Sequence, residues 1–171
     1  LGVYESYEWF GKIGIYCGSG NNAGDGYALA LILTENGYEV EIIKIKDKFS
    51  DDGLYYYKKC LEKGIKIRPF NQSLPKYDIN VDCLLGTGFK GDVTGELADV
   101  INYINNSNSI VISVDINSGL NGDTGLCECG VKSELTISIG CLKPGLFLNN
   151  AKDYICKLIN IDIGLKLIGE P

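Results

Sequence analysis

Four short polar or glycine-rich segments carry the residues of this chain whose types and spacing best suit binding or moving charge. The first is Gly18-Ser19-Gly20-Asn21-Asn22-Ala23-Gly24-Asp25-Gly26, with four glycines in nine residues. Glycine lets a backbone approach a phosphate, and a helix beginning there offers unpaired N–H groups to an anion. Gly18 to Ala23 also satisfies G-x-G-x-x-A, a loose dinucleotide fingerprint, while the G-K-[ST] ending of a P-loop is absent. A tight turn would explain the glycines but not the adjacent Asn21 and Asn22, whose amides stand at the mouth of such a site. Asp25 is either an acid favoured by the start of a helix or a contact for a ligand hydroxyl.

The second segment is Asp82 to Asp92 (DCLLGTGFKGD). A charged Asp82 in an apolar run is costly unless it is paired, bound to a cation or turned into solvent at the strand end. Gly86, Gly88 and Gly91 make a second backbone-presenting loop, with Thr87 and Lys90 as its hydrogen-bonding and charged members. The third segment, Asp115 to Gly125 (DINSGLNGDTG), directly follows the run IVISV. The chain has no histidine, so proton transfer falls to carboxylates, lysine, tyrosine or cysteine, and Asp115 is the preferred general acid/base. Partial desolvation would raise its pKa toward neutrality; the plainer reading has it capping the N–H groups of Ser118 or Gly119. The fourth is Lys143-Pro144-Gly145, whose lysine either holds an anion or sits in solvent. Asn22, Asp82 and Ser118 offer an amide, a carboxylate and a hydroxyl, and such an oxygen set of low charge suits a hard monovalent cation better than zinc or iron.

These segments interrupt a regular alternation. Apolar runs at Lys12 to Cys17, Glu39 to Ile45, Ile79 to Leu85, Ile110 to Val114, Leu135 to Ile139 and Ile155 to Ile161 read as six strands. Asp25 to Asn36, Asp51 to Lys63 and Gly95 to Asn106 read as helices, the first two stopped by Gly37 and Gly64. Strands separated by helical stretches imply right-handed crossovers and a mostly parallel sheet, a doubly wound α/β domain over residues 1–171. Ligands of such sheets bind beyond the carboxyl ends of the strands, where the four segments fall.

The 171 residues are 45% hydrophobic and 22% charged, the balance of a folded globular domain. The longest apolar run, Tyr27 to Leu33, is far short of the roughly 20 residues a bilayer span needs. Fifteen lysines against one arginine, with a net charge of −6, disfavour nucleic acid as a partner. Seven cysteines in no C-x-x-C pair read as structural thiols of a reducing cytoplasm, with Cys17, Cys83 and Cys141 as small buried hydrophobes. The sequence contains no methionine and opens at Leu1, which predicts a trimmed chain.

GSGNNAGDG, DCLLGTGFKGDVTGE, VDINSGLNGDTG and CLKPGL, in this order and spacing, resemble the YjeF N-terminal domain family, the NAD(P)H-hydrate epimerases. The resemblance runs from about Lys12 to Gly164. It implies a Rossmann-like three-layer α/β/α sandwich, commonly a homodimer, that interconverts the R and S forms of NADHX and NADPHX. These are nicotinamide rings hydrated at C6. It further implies that Asn21, Asn22, Ala23, Gly24 and Asp25, together with Gly86, Thr87, Gly88, Phe89, Lys90, Gly91 and Asp92, contact the dinucleotide. Asn22, Asp82 and Ser118 would ligate a potassium ion, Asp115 would bind the substrate near the reacting ring, and Lys90 is its polar partner in catalysis.

The chain departs from the family in places. Ala23 replaces a glycine and is expected to put a methyl near a bound phosphate. Asn117 replaces the proline of PSG, which predicts a looser turn. The residues before Lys12 are too few for the family's N-terminal helical segment, and the end at Pro171 is consistent with a part cut from a bifunctional epimerase/dehydratase. Two rival readings are an NAD(P)-dependent oxidoreductase and a non-catalytic dinucleotide- or protein-binding module of the same fold. The first requires an acidic ribose-binding residue ending the second strand, where Lys44 and Lys46 precede Asp47.

Overall fold

The computed structural model describes residues 2–162. Their elements are α1 (Gly2–Glu5), β1 (Lys12–Cys17), α2 (Gly20–Glu35), β2 (Glu39–Lys44), α3 (Asp51–Glu62), β3 (Lys66–Pro69), β4 (Ile79–Cys83), α4 (Gly95–Asn105), β5 (Ile110–Val114), β6 (Ser133–Ile139) and β7 (Ile155–Ile161). One seven-stranded sheet runs in the order β3-β2-β1-β4-β5-β6-β7. Every pairing is parallel, so the expected mostly parallel sheet is entirely so among the described residues. β1 and β4, at the centre of the sheet, are buried almost throughout, β4 with the polar Asn80 and Asp82 among its buried residues.

Six strands match the expected runs to within two residues at each end. β3 (KIRP) was not expected, because a four-residue strand with two cations and a proline carries no alternation. It survives as an edge strand, where proline's missing N–H costs no ladder bond. The far end of the resemblance, Gly164, lies outside the described residues. No described helix is long and apolar enough to cross a membrane. The cysteines are unpaired, with Cys17 and Cys83 buried as expected, but Cys141 is exposed just past the end of β6.

The main apolar cluster joins Ile13, Ile15, Ile79, Val81 and Ile112 of the sheet to Tyr27, Ala30 and Leu33 of α2. A second cluster seats Val100, Ile101 and Ile104 of α4 on Tyr16, Ile43 and Val111. The start of α2 is held close to the sheet by Gly26: a Cβ there would lie 2.8 Å from Cys17 Sγ and 3.0 Å from Cys83 Cβ. Gly26→Val is expected to cost about 1–3 kcal/mol through overpacking. A lower urea midpoint at unchanged m-value checks it; an unshifted midpoint contradicts it.

Candidate active site

The strand order reverses between β1 and β4, so their carboxyl ends diverge into a crevice. A cleft of about 450 Å³ opens there, lined by the start of α2, the loop 85–89 after β4, and Asp115 after β5. Three of the four segments therefore meet at one place.

α2 begins at Gly20, five residues earlier than the sequence suggests. Gly, Asn and Asn are weak helix formers; Gly20 and Asn21 are exposed, and the turn is anchored by Asn22, Ala23 and Gly24, which are buried. Ser19 stands at the N-cap position in extended conformation, but its hydroxyl makes no capping bond. The unpartnered N–H groups of the first turn are thus left to an incoming anion. Asn21, Asn22 and Asp25 line the cleft. Ala23 and Gly24 do not: Ala23 is buried in the main core, and a Cβ on Gly24 would lie 3.2 Å from Gly53 Cα at the contact with α3. The Ala23 methyl therefore points away from the place expected for a phosphate.

Asp25 sits in the second turn of α2 rather than the first, so the helix dipole does not explain it. Its side chain reaches solvent through the cleft and makes no hydrogen bond or ion pair among the described residues. The surrounding walls and then the charge of Asp115 push its carboxyl up to about 6, while Lys143 pulls the other way.

Asp82 is fully buried, which rules out the solvent-facing reading. Its Oδ1 accepts from Ser118 Oγ (2.5 Å) and Leu84 N (3.2 Å), and its Oδ2 from Ser113 Oγ (2.8 Å) and Ser118 N (2.9 Å). Burial raises its carboxyl above the ordinary value, and these four donors oppose the rise. Leu85 N donates to Ser118 Oγ (2.9 Å), and Asn22 Nδ2 donates to Leu85 O (3.0 Å). Asn22, Asp82 and Ser118 are thus linked through one backbone segment. The amide oxygen Oδ1 of Asn22 is buried and has no hydrogen-bond partner.

Gly86, Thr87, Gly88 and Phe89 line the cleft. Gly91 and Asp92 instead border a neighbouring concavity with Leu120, Asn121 and Cys127. Lys90 extends into solvent, 71% exposed, and pairs with Asp123 at 3.5 Å; the structure does not bring it to the cleft.

The cation beside Asp115 is Lys143. Its ammonium donates to Asp115 Oδ1, to Ile139 O (3.1 Å) and to Ser138 Oγ (3.4 Å). Both partners of the pair are largely buried, at 17% and 20% exposure. The signal lay in the topology: β5 and β6 are neighbours, so a lysine just past β6 lands next to an aspartate just past β5. Asp115 adopts a left-handed φ of 71°, and its own N–H donates to Ile137 O (2.7 Å). It does not cap the following turn: the Ser118 N–H is taken by Asp82, and the Asp115 carboxylate accepts only from Lys143 among the described residues. Nor is that turn loose at Asn117. This side chain is fully buried; its Nδ2 donates to Val131 O and is shared with Ser133 Oγ and Tyr154 O, while its Oδ1 accepts from Thr136 Oγ1.

Residues 11–145 match the family described as YjeF-related protein N-terminus. The chain belongs to that family. It is 35% identical over 154 residues to an NAD(P)H-hydrate epimerase of Lentilactobacillus buchneri, covering 88% of this chain and 72% of that protein. It is 34% identical to an NAD(P)H-hydrate epimerase of Plasmodium knowlesi, over 88% of this chain and 53% of that one. A bifunctional NAD(P)H-hydrate repair enzyme of Archaeoglobus fulgidus is 33% identical, with 91% of this chain matching 32% of the longer protein. The crystal structure of yeast ynu0 superposes with a TM-score of 0.71 at 18% identity, covering 84% of this chain and 63% of that one, which establishes the shared fold. In this YjeF N-terminal domain, β2 ends on Lys44, paired with Asp47, opposite in charge to the acidic residue that a dehydrogenase sets there for the ribose.

Proposed function

We propose that this YjeF N-terminal domain is an NAD(P)H-hydrate epimerase that inverts C6 of hydrated NADH or NADPH, alone or as the epimerase part of a bifunctional repair enzyme. The observation that carries the reading is one cleft with an uncapped helix N-terminus on one wall and two carboxyl groups, Asp25 and Asp115, beside it. The helix end suits the pyrophosphate and the carboxyl groups suit the ring. C6 of the hydrate bears a hydroxyl next to ring N1, so inversion by loss of that hydroxyl passes through an iminium-like cation. An anion held beside the ring stabilises this cation at the moment it forms.

The residues also fit a monovalent cation. Asn22 Oδ1 is an acceptor without a donor, and Asp82 is a buried carboxylate with hydrogen bonds but no contacting cation among the described residues. Asn22, Asp82 and Ser118 would hold potassium. Its positive charge would offset that of Asp82 and steady the loop 85–89 against the phosphates.

Incubating the protein with (R)-NADHX, in potassium and then in sodium buffer, tests both readings. Chromatography is expected to show the S form appearing faster than in a protein-free blank, and faster in potassium. No excess over the blank in either buffer contradicts the epimerase reading; equal rates in both contradict the potassium reading.

A further inference from the structure

The two carboxyl groups of the cleft have unlike surroundings. Asp115 has one oxygen committed to the ammonium of Lys143. That ammonium is itself tied to Ile139 O and Ser138 Oγ at the end of β6, and Ser138 is fully buried. With its backbone fixed in a left-handed conformation, Asp115 is a stationary point of negative charge. Asp25 lies in the same cleft on a different element, the second turn of α2. It has no bonded cation and no hydrogen bond among the described residues. Among the described residues, the charged groups acting on it are Asp115 and Lys143.

We propose that Lys143 is a positioning residue that holds Asp115 as the counter-ion of the cationic ring, and that Asp25 is the catalytic residue carrying the proton to and from the C6 oxygen. This rests on the epimerase reading. Unlike environments for two neighbouring carboxyl groups are how one cleft separates an acid from an anion. The carboxyl of Asp25, pushed up to about 6, is well matched to giving and taking a proton near neutral pH.

The step balances without an oxidant or reductant. The Asp25 carboxyl gives its proton to the C6 hydroxyl. The C6–O bond breaks, its electron pair leaves with the departing water, and the N1 lone pair closes a C6=N1 double bond. The ring now carries a positive charge beside Asp115. A second water adds to C6 from the other face, the π pair returns to N1, and the surplus proton passes through the water of the cleft to the Asp25 carboxylate. One water leaves and one enters, and Asp25 is restored.

The test compares wild type, Asp25→Asn, Lys143→Met and Lys143→Arg in the steady-state epimerisation of (R)-NADHX between pH 5 and 8. A thermal melt on each variant verifies that it is folded. For wild type, kcat is expected to fall about tenfold per pH unit above about 6, since the acid form of Asp25 is lost there. Asp25→Asn is expected to lower kcat about 10²–10⁴-fold and to flatten this limb, which removal of a general acid does. Lys143→Met is expected to lower kcat at least tenfold, the scale of about 1.4 kcal/mol at the transition state, with KM within threefold of wild type and partial recovery in Lys143→Arg. A purely structural lysine would instead lower the melting point of the methionine variant and leave its kcat intact. Full kcat and an unchanged pH limb in folded Asp25→Asn overturn the role of Asp25. Full kcat in folded Lys143→Met overturns that of Lys143. No conversion by wild type overturns the epimerase reading itself, a result distinct from the other two.

Discussion

Replacing Asp115 by asparagine is expected to slow C6 epimerisation about 10³-fold, the loss typical of removing one aligned electrostatic group from a transition state. Asparagine is the informative substitute because Asp115 sits at a φ of 71°. Asparagine tolerates the left-handed region about as well as aspartate, whereas alanine adds strain of its own. The amide keeps the shape of the side chain and can still accept from the Lys143 ammonium that now meets Asp115 Oδ1. What it lacks is the net charge that the ring cation requires. The loss should fall on kcat, because the dinucleotide is gripped elsewhere, by the first turn of α2 and the loop 85–89. A kcat within threefold of wild type would remove Asp115 from the chemistry.

The largest effect on stability is expected from Asp82→Leu. Its two carboxylate oxygens accept four hydrogen bonds, from Leu84 N, Ser113 Oγ, Ser118 N and Ser118 Oγ. Leucine is close in volume but leaves Leu84 N, Ser113 Oγ and Ser118 N without their acceptor, while Ser118 Oγ keeps only Leu85 O at 3.4 Å. Each orphaned buried donor costs about 1–3 kcal/mol, partly offset by no longer burying the charge, so a net loss of about 4 kcal/mol is expected. That is a large share of the roughly 5–15 kcal/mol that holds an ordinary domain folded. The same substitution releases Ser118 Oγ from the carboxylate and so loosens its hold on Leu85 N, the residue whose carbonyl receives Asn22. Equilibrium urea unfolding reads the loss directly. A change below about 1 kcal/mol, less than the cost of one orphaned donor, would mean that the donors find other partners and that Asp82 does not tie these strand ends together.

Much of this was visible in the residues, for physical reasons. Strand runs such as KIGIYC and IVISV declare themselves because strands buried on both faces are almost continuously apolar. Glycine-rich segments at their carboxyl ends mark the cleft, because the chain must turn there and approach a ligand at once. What stayed hidden depended on contacts far apart in sequence. Lys143 could be read as solvated until β6 was seen beside β5, 28 residues from Asp115. Lys90 drew attention because it sits inside a glycine-rich loop, yet the loop turns it outward to Asp123. Ala23 and Gly24 belong to a binding motif by position, but helical periodicity turns them toward the core and toward α3. Asn117 looked like a relaxed turn residue because its partners Val131, Ser133, Thr136 and Tyr154 lie 14 to 37 residues away.

Loss and re-addition of the C6 hydroxyl beside Asp115 can be followed by its oxygen. Epimerising (R)-NADHX in ¹⁸O-water, and analysing the S product by mass spectrometry against a protein-free blank, gives the decisive result. One ¹⁸O per molecule of S product, appearing at the rate of epimerisation, is expected if the cleft releases the hydroxyl as water and adds a new one from the other face. S product that keeps its original oxygen would contradict the iminium route and point to ring opening. S product that forms no faster than in the blank would contradict the assignment of this cleft as an epimerase site.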